Sequence, residues 1–128
     1  MPAKYSTPYE LMGGEQKVRE LVIRFYELMD SMPEAEQTRK MHPADLTLSI
    51  EKLFKFLSGW LGGPSLYIEE YGHPRLRARH LPFAIDDKAR DQWLMCMFQA
   101  MDDVGIETKI QITLRQQFSQ MANHMRNQ

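Results

Sequence analysis

The chain has 128 residues, which is the size of one ordinary domain. Its 16 Lys and Arg residues nearly balance its 17 Asp and Glu residues, so the formal net charge is -1. This balance argues against a protein whose main partner is a nucleic acid or an anionic membrane, because either partner requires a basic excess. Hydrophobic residues make up 43% of the chain, which argues against a disordered polypeptide.

The cysteine content and the distribution of apolar residues indicate a cytoplasmic protein. A single Cys cannot form an internal disulfide, and this favours a reducing compartment. The N-terminus has no apolar run of signal-peptide length, and no apolar segment is long enough to span a bilayer. We expect a single domain over residues 1–128, with a loosely ordered N-terminal extension over residues 1–8.

Glycine and proline divide the first half of the chain into helical segments. Apolar residues recur at gaps of three and four over residues 15–32, which predicts a long helix. Residues 33–44 indicate a connection with one short helical turn. Asp45 or Thr47 can cap a second long helix, which ends at the Gly-Gly-Pro of residues 62–64.

The second half is predicted to hold two more long helices. Residues 65–85 are less regular and favour a short helix from about Pro74 to His80. The acidic pair at residues 86–87 opens a third long helix, which Gly105 ends. A fourth has apolar residues at helical spacing over residues 108–125. No alternating strand pattern competes, so the sequence predicts an all-α fold.

Most common site motifs are absent from this sequence. There is no P-loop, no GxGxxG and no CxxC, and the two glycine pairs are interpreted as helix ends. None of the four histidines forms a His-x-x-x-His pair, which argues against a compact zinc site. A cofactor held by one histidine needs no such pair, since haem iron can be bound by a single imidazole in an apolar slot.

His80 has surroundings that suit such a ligand. Leu76 precedes it by four residues and shares its helical face. Arg75, Arg77 and Arg79 supply cations for a carboxylate at the edge of a pocket. Spacing alone nevertheless favours a surface role, because a His beside arginines is more often exposed than bound to a metal.

A set of motifs in a fixed order resembles the group II truncated haemoglobins. The motifs are Phe25-Tyr26, Gly62-Gly63-Pro64, Arg79-His80-Leu81-Pro82-Phe83 and Trp93. The similarity extends over nearly the whole chain, from about Pro8 to Met125. It implies a truncated globin fold, which is a two-over-two helical sandwich, and a single b-type haem, iron protoporphyrin IX.

The resemblance also implies roles for individual residues around the iron. His80 matches the proximal ligand of the family motif. Tyr26, Trp93 and His42 match the distal positions that donate hydrogen bonds to a bound ligand, although many relatives carry Tyr or Phe where this chain has His42. Each also has a plain structural interpretation: a packed tyrosine, a core tryptophan and a loop or capping histidine.

The remaining predicted contacts lie along the cofactor. By similarity, Lys52 and Arg79 are expected near the propionates, where Tyr67 joins them, and Leu53 and Phe56 are expected to line the distal slot. Leu76 and Phe83, on either side of the proximal histidine, complete the set.

The predicted function is tight binding of dioxygen and other diatomic ligands by a haem globin. The alternative is a haem oxidoreductase that acts on peroxide, nitric oxide or nitrite with an external reductase, because no flavin or nicotinamide motif is present. A third possibility is a cofactor-free helical interaction module. The same set of distal side chains can serve a carrier, a sensor or an enzyme, so the sequence leaves that choice open. It also leaves open a monomer or a weak homodimer, and whether Tyr26 or His42 ligates ferric iron.

Overall fold

The computed structural model describes residues 7–128, and over this part of the chain the backbone forms helices and no strand. A 3-10 turn over Pro33–Ala35 precedes α3. The helices are α1 (Pro8–Met12), α2 (Gly14–Ser31), α3 (Glu36–Lys40), α4 (Thr47–Trp60), α5 (Leu66–Tyr71), α6 (Leu76–His80), α7 (Asp87–Asp103) and α8 (Thr108–Met125). The predicted all-α class is therefore confirmed.

The four long helices are those that the apolar periodicity predicts. α2 packs against α4 and against α7, and α7 packs against α8. These two helix pairs, joined where α2 meets α7, form the predicted two-over-two sandwich. None of the helices over residues 7–128 combines the length and the apolar character that a bilayer crossing requires.

Polar capping residues mark the start of two of the helices, α1 and α7. The Asp86 carboxylate accepts a hydrogen bond from the backbone N–H of Ala89 at 2.9 Å, which caps the first turn of α7. Thr7 and Glu10 form a capping box at the start of α1, a helix that the sequence did not predict. Residues 1–6 of the expected N-terminal extension lie outside the described residues, while Pro8 is the first residue of α1.

The core lies between the four long helices. The side chains that are almost completely buried are Val18, Leu21, Val22, Phe25, Met29, Leu57, Leu61, Met97, Met101, Leu114 and Phe118. Burial of this many large apolar groups is the main stabilising contribution to the fold. Cys96 is fully buried among them, and this burial raises the pKa of its thiol to about 11.

The short helices contribute little to this core. α6 has five residues and none of them is buried. A helix of this length is not stable by itself in water, so its place depends on contacts with the rest of the chain. Those contacts matter because α6 ends at His80.

Candidate functional site

A cavity of about 330 Å³ opens between the long helices and α6. Most of the residues that the sequence predicts for the site lie in its wall: Tyr26, His42, Leu53, Phe56, Leu76, His80, Phe83 and Trp93. The wall is largely apolar, and a few polar side chains project into it. This combination is typical of a ligand-binding site.

The two ring nitrogens of His80 have different roles: Nδ1 hydrogen-bonds to the backbone, and Nε2 is left for a ligand. Its Nδ1 lies 2.6 Å from the backbone oxygen of Leu76. Because a carbonyl oxygen only accepts hydrogen bonds, Nδ1 carries the proton in this contact. In the neutral ring, Nε2 then keeps its lone pair, which is the arrangement found in histidines that bind metals.

Tyr26 brings a hydroxyl group from α2 into the wall of the cavity. The residue is 6% exposed, and its ring lies 4.9 Å from that of Phe25 in an edge-on contact. Among residues 7–128 no side chain or backbone group hydrogen-bonds to the hydroxyl, and burial alone raises its pKa well above the ordinary value. The phenol thus stays protonated and has a free donor.

Trp93 is held in the cavity by aromatic contacts from the core. Its ring lies 5.2 Å from Phe25 and 5.8 Å from Phe118. Its indole N–H has no acceptor in the described part of the chain. Since indole nitrogen only donates, Trp93 provides a second free donor in the same cavity as the imidazole of His80.

His42 lies in the loop after α3, and its protonation is set by a hydrogen bond, by burial and by a neighbouring charge. Its Nδ1 donates to the backbone oxygen of Thr38 at 2.9 Å. Burial lowers the pKa of His42, the hydrogen bond to Thr38 opposes this shift, and the positive charge of Arg39 lowers the pKa further. The neutral ring consequently has an acceptor, not a donor, at Nε2.

The loop that carries His42 is attached to the body of the protein by Arg39. The guanidinium donates to the backbone oxygens of Pro43 at 2.9 Å and Ala44 at 3.0 Å. On its other side it pairs with Asp30 of α2 at 2.8 Å. Arg39 therefore restrains the backbone on which His42 stands.

Three predicted residues lie beside the cavity but not in its wall. The Arg79 guanidinium is 5.9 Å from the centre of the Tyr67 ring, which is 6.3 Å from that of Phe56. The Lys52 amino group is 5.4 Å from the ring of Tyr71, which packs 4.9 Å from Tyr67. The structure thus gathers two cations and Tyr67 next to Phe56, which lines the cavity.

Several wall residues were not predicted from the sequence: Thr38, Met41, Pro43, Ile85, Ala89, Arg90, Met121, Ala122 and Met125. The α8 residues among them continue the apolar stripe of that helix. A stripe that faces a cavity has the same spacing as one that faces a core, so periodicity alone could not separate the two.

These residues fit a haem group. The cavity offers an imidazole with a free Nε2, apolar walls, and the hydroxyl of Tyr26, which has no hydrogen-bond partner among residues 7–128. Cations for carboxylates lie at Lys52 and Arg79, over the rings of Tyr71 and Tyr67, and Tyr67 packs against Phe56 in the cavity wall. A ligand in the cavity can accept a hydrogen bond from the Tyr26 hydroxyl, which has no competing acceptor in the described residues.

Comparison with known proteins decides the family. The model of the bacterial-like globins matches residues 7–127. The group 2 truncated haemoglobin YjbI of Bacillus subtilis (strain 168) is 45% identical over 128 residues, which is 100% of this chain and 94% of YjbI. The chain belongs to the group II truncated haemoglobins. Membership confirms the predicted family and implies ligand binding at a haem.

Solved structures of other truncated haemoglobins agree with this assignment. The group II 2-on-2 haemoglobin of Agrobacterium tumefaciens superposes with a TM-score of 0.95 at 44% identity, covering 100% of this chain and 99% of that one. The truncated oxygen-avid haemoglobin from Bacillus subtilis superposes with a TM-score of 0.87 at 46% identity, covering 95% and 100%. The two-over-two sandwich is therefore the fold of this truncated haemoglobin.

Proposed function

We propose that this truncated haemoglobin binds dioxygen and other diatomic ligands tightly at a haem b held by His80. The observation that carries the proposal is a pair of donors with no hydrogen-bond partner among residues 7–128, the Tyr26 hydroxyl and the Trp93 indole N–H, in the same apolar cavity as the imidazole. The relative from Bacillus subtilis that is described as oxygen-avid supports tight binding.

When it is bound, haem would supply an iron at which a diatomic ligand could coordinate. His80 would hold the iron through Nε2, while the 2.6 Å hydrogen bond from Nδ1 to Leu76 maintains the ring's orientation. The sequence supports a b-type haem because the single Cys excludes the Cys-x-x-Cys-His motif of covalent attachment.

Tyr26 and Trp93 would stabilise the ligand by donating hydrogen bonds to it. Both donors stay protonated at neutral pH, because burial raises the pKa of Tyr26 and the indole N–H does not titrate. In a dry cavity each bond contributes on the order of 1–2 kcal/mol. Since about 1.4 kcal/mol is a factor of ten, the two donors together slow ligand release by roughly two orders of magnitude.

His42 has a different role in this proposal from the one expected from the resemblance. Its Nδ1 proton is used by the Thr38 carbonyl, and its neutral Nε2 has no proton to donate to a ligand. Its ring packs edge-on against that of Tyr26, with the ring centres 5.7 Å apart. We therefore assign His42 to restricting the rotation of Tyr26, not to donating a hydrogen bond.

The test is the oxygen dissociation rate of the ferrous haem-loaded protein, measured by stopped flow. Tyr26→Phe and Trp93→Phe should each release oxygen about tenfold faster than the wild type. The matched control is Tyr9→Phe, which removes a hydroxyl from α1 outside the cavity wall and should leave the rate unchanged. Wild-type rates in both cavity variants would refute the donor roles. A wild-type protein that shows no Soret band after haem is added would refute the haem site itself.

A further inference from the structure

The last residues of the chain are bound to the segment that carries His80. We call residues 123–128, at the end of α8 and beyond, the C-terminal clamp. Because α6 has five residues and buries none of them, its position must come from contacts such as these. The polar contacts of the clamp involve Arg77 within α6, His80 itself, and the residues that follow His80.

Asn127 makes the most direct of these contacts. Its side-chain amide donates to the backbone oxygen of His80 at 3.3 Å and to that of Phe83 at 2.9 Å. Its side-chain oxygen accepts from the backbone N–H of Ile85 at 3.0 Å. Its own backbone N–H donates to the Ile85 oxygen at 2.9 Å. One residue thus fastens the whole turn between α6 and α7.

Arg77 supplies a second attachment from α6 itself. Its guanidinium donates to the backbone oxygens of His124 at 2.7 Å and Arg126 at 3.0 Å. Between these two carbonyls, Met125 lines the cavity and packs in a small apolar cluster with Ile85. The polar contacts therefore surround an apolar one, and together they hold α6 against the end of α8.

We propose that Asn127 is a positioning residue for His80. Through the backbone of the α6–α7 turn, Asn127 controls how tightly the imidazole binds the cofactor. This inference rests on the proposed role of His80 as the iron ligand. The His80 backbone oxygen and its ring are parts of one residue, so a hydrogen bond that restrains the oxygen restrains the base of the side chain as well. Asn suits the position because it offers a donor and an acceptor at once.

The experiment compares the wild type with Asn127→Ala, Asn127→Asp and Gln128→Ala, all loaded with haem. Asn127→Asp keeps an acceptor for Ile85 and loses the donor to His80 and Phe83. Gln128→Ala changes the neighbouring amide side chain of the clamp and leaves Asn127 in place. The first readout is the iron–histidine stretching band in the resonance Raman spectrum of the ferrous, ligand-free protein. The second is the rate of haem loss to an excess of apomyoglobin.

We expect both Asn127 variants to shift and broaden the iron–histidine band and to lose haem faster, on the order of tenfold for Asn127→Ala. Gln128→Ala should match the wild type in both readouts. A folded Asn127→Ala or Asn127→Asp protein with the wild-type band and haem-loss rate would overturn the inference. If Asn127→Ala does not fold, Asn127→Asp decides. Absence of the band from the wild type would instead refute His80 as the iron ligand, so the two failures are distinguishable.

Discussion

The two sides of the cavity are built in different ways. Tyr26 and Trp93 stand on α2 and α7, long helices whose inner faces form the core around Phe25. His80 stands at the end of α6, which buries no residue and is held by hydrogen bonds from Asn127 and by those that Arg77 donates to His124 and Arg126. One side is positioned by apolar packing and the other by polar contacts with the end of the chain.

This difference has a consequence for how the site responds to change. Packed side chains in a core are restrained by many contacts at once, so the distal donors resist displacement. A segment with few buried groups opens locally at a low cost in free energy. We therefore expect the distal side to control the stability of the fold, and the His80 side to control retention of the cofactor.

The largest expected effect is on the His80 side. His80→Gly should abolish retention of haem, since it removes the imidazole that is proposed to bind the iron. Added imidazole should restore the Soret band, because it can occupy the space that the side chain leaves. The absorbance spectrum after gel filtration, with and without imidazole, measures both. A His80→Gly protein that retains haem without imidazole would show that another residue binds the iron.

The packing difference is tested by substituting a phenylalanine on each side. Phe25 is 0% exposed and Phe83 is 41% exposed. Phe25→Ala should lower the free energy of unfolding of the apoprotein by about 3–5 kcal/mol, because it leaves a cavity between both distal aromatic rings. Phe83→Ala should lower it by about 1 kcal/mol or less. Urea titration followed by circular dichroism measures both values, and equal losses would contradict the proposed difference between the two sides.

The smallest expected effect concerns His42 and pH. Burial lowers the pKa of His42 from its ordinary value of 6.5, so the unfolded chain binds this proton more readily than the folded one. Above about pH 6.5 the lowered pKa of His42 does not affect the free energy of unfolding. As the pH falls from there towards the folded-state pKa, the free energy of unfolding decreases. His42→Phe should therefore weaken the loss of stability between about pH 7 and pH 5 in urea titrations of the apoprotein. An identical pH slope in wild type and variant would argue against a buried, neutral His42.

Much of the fold could be predicted from local sequence patterns. The four long helices follow from apolar periodicity, the start of α7 follows from its cap Asp86, and the ends of α4 and α7 follow from the glycines just beyond them. These signals act over a few residues, so they can be recognised without knowing the rest of the structure. α1 and α5 were missed because helices of five or six residues carry too few apolar repeats to form a pattern.

The ordered motifs around Tyr26, His80 and Trp93 were enough, with the resemblance they carry, to identify the family and its fold from the sequence alone. The tertiary structure decided the rest of the cavity wall, the tautomer and pKa direction of His42, and the attachment of α6 to Asn127. These features depend on hydrogen bonds and burial between residues that are far apart in the chain. No local pattern encodes such contacts, because they exist only once the helices have packed.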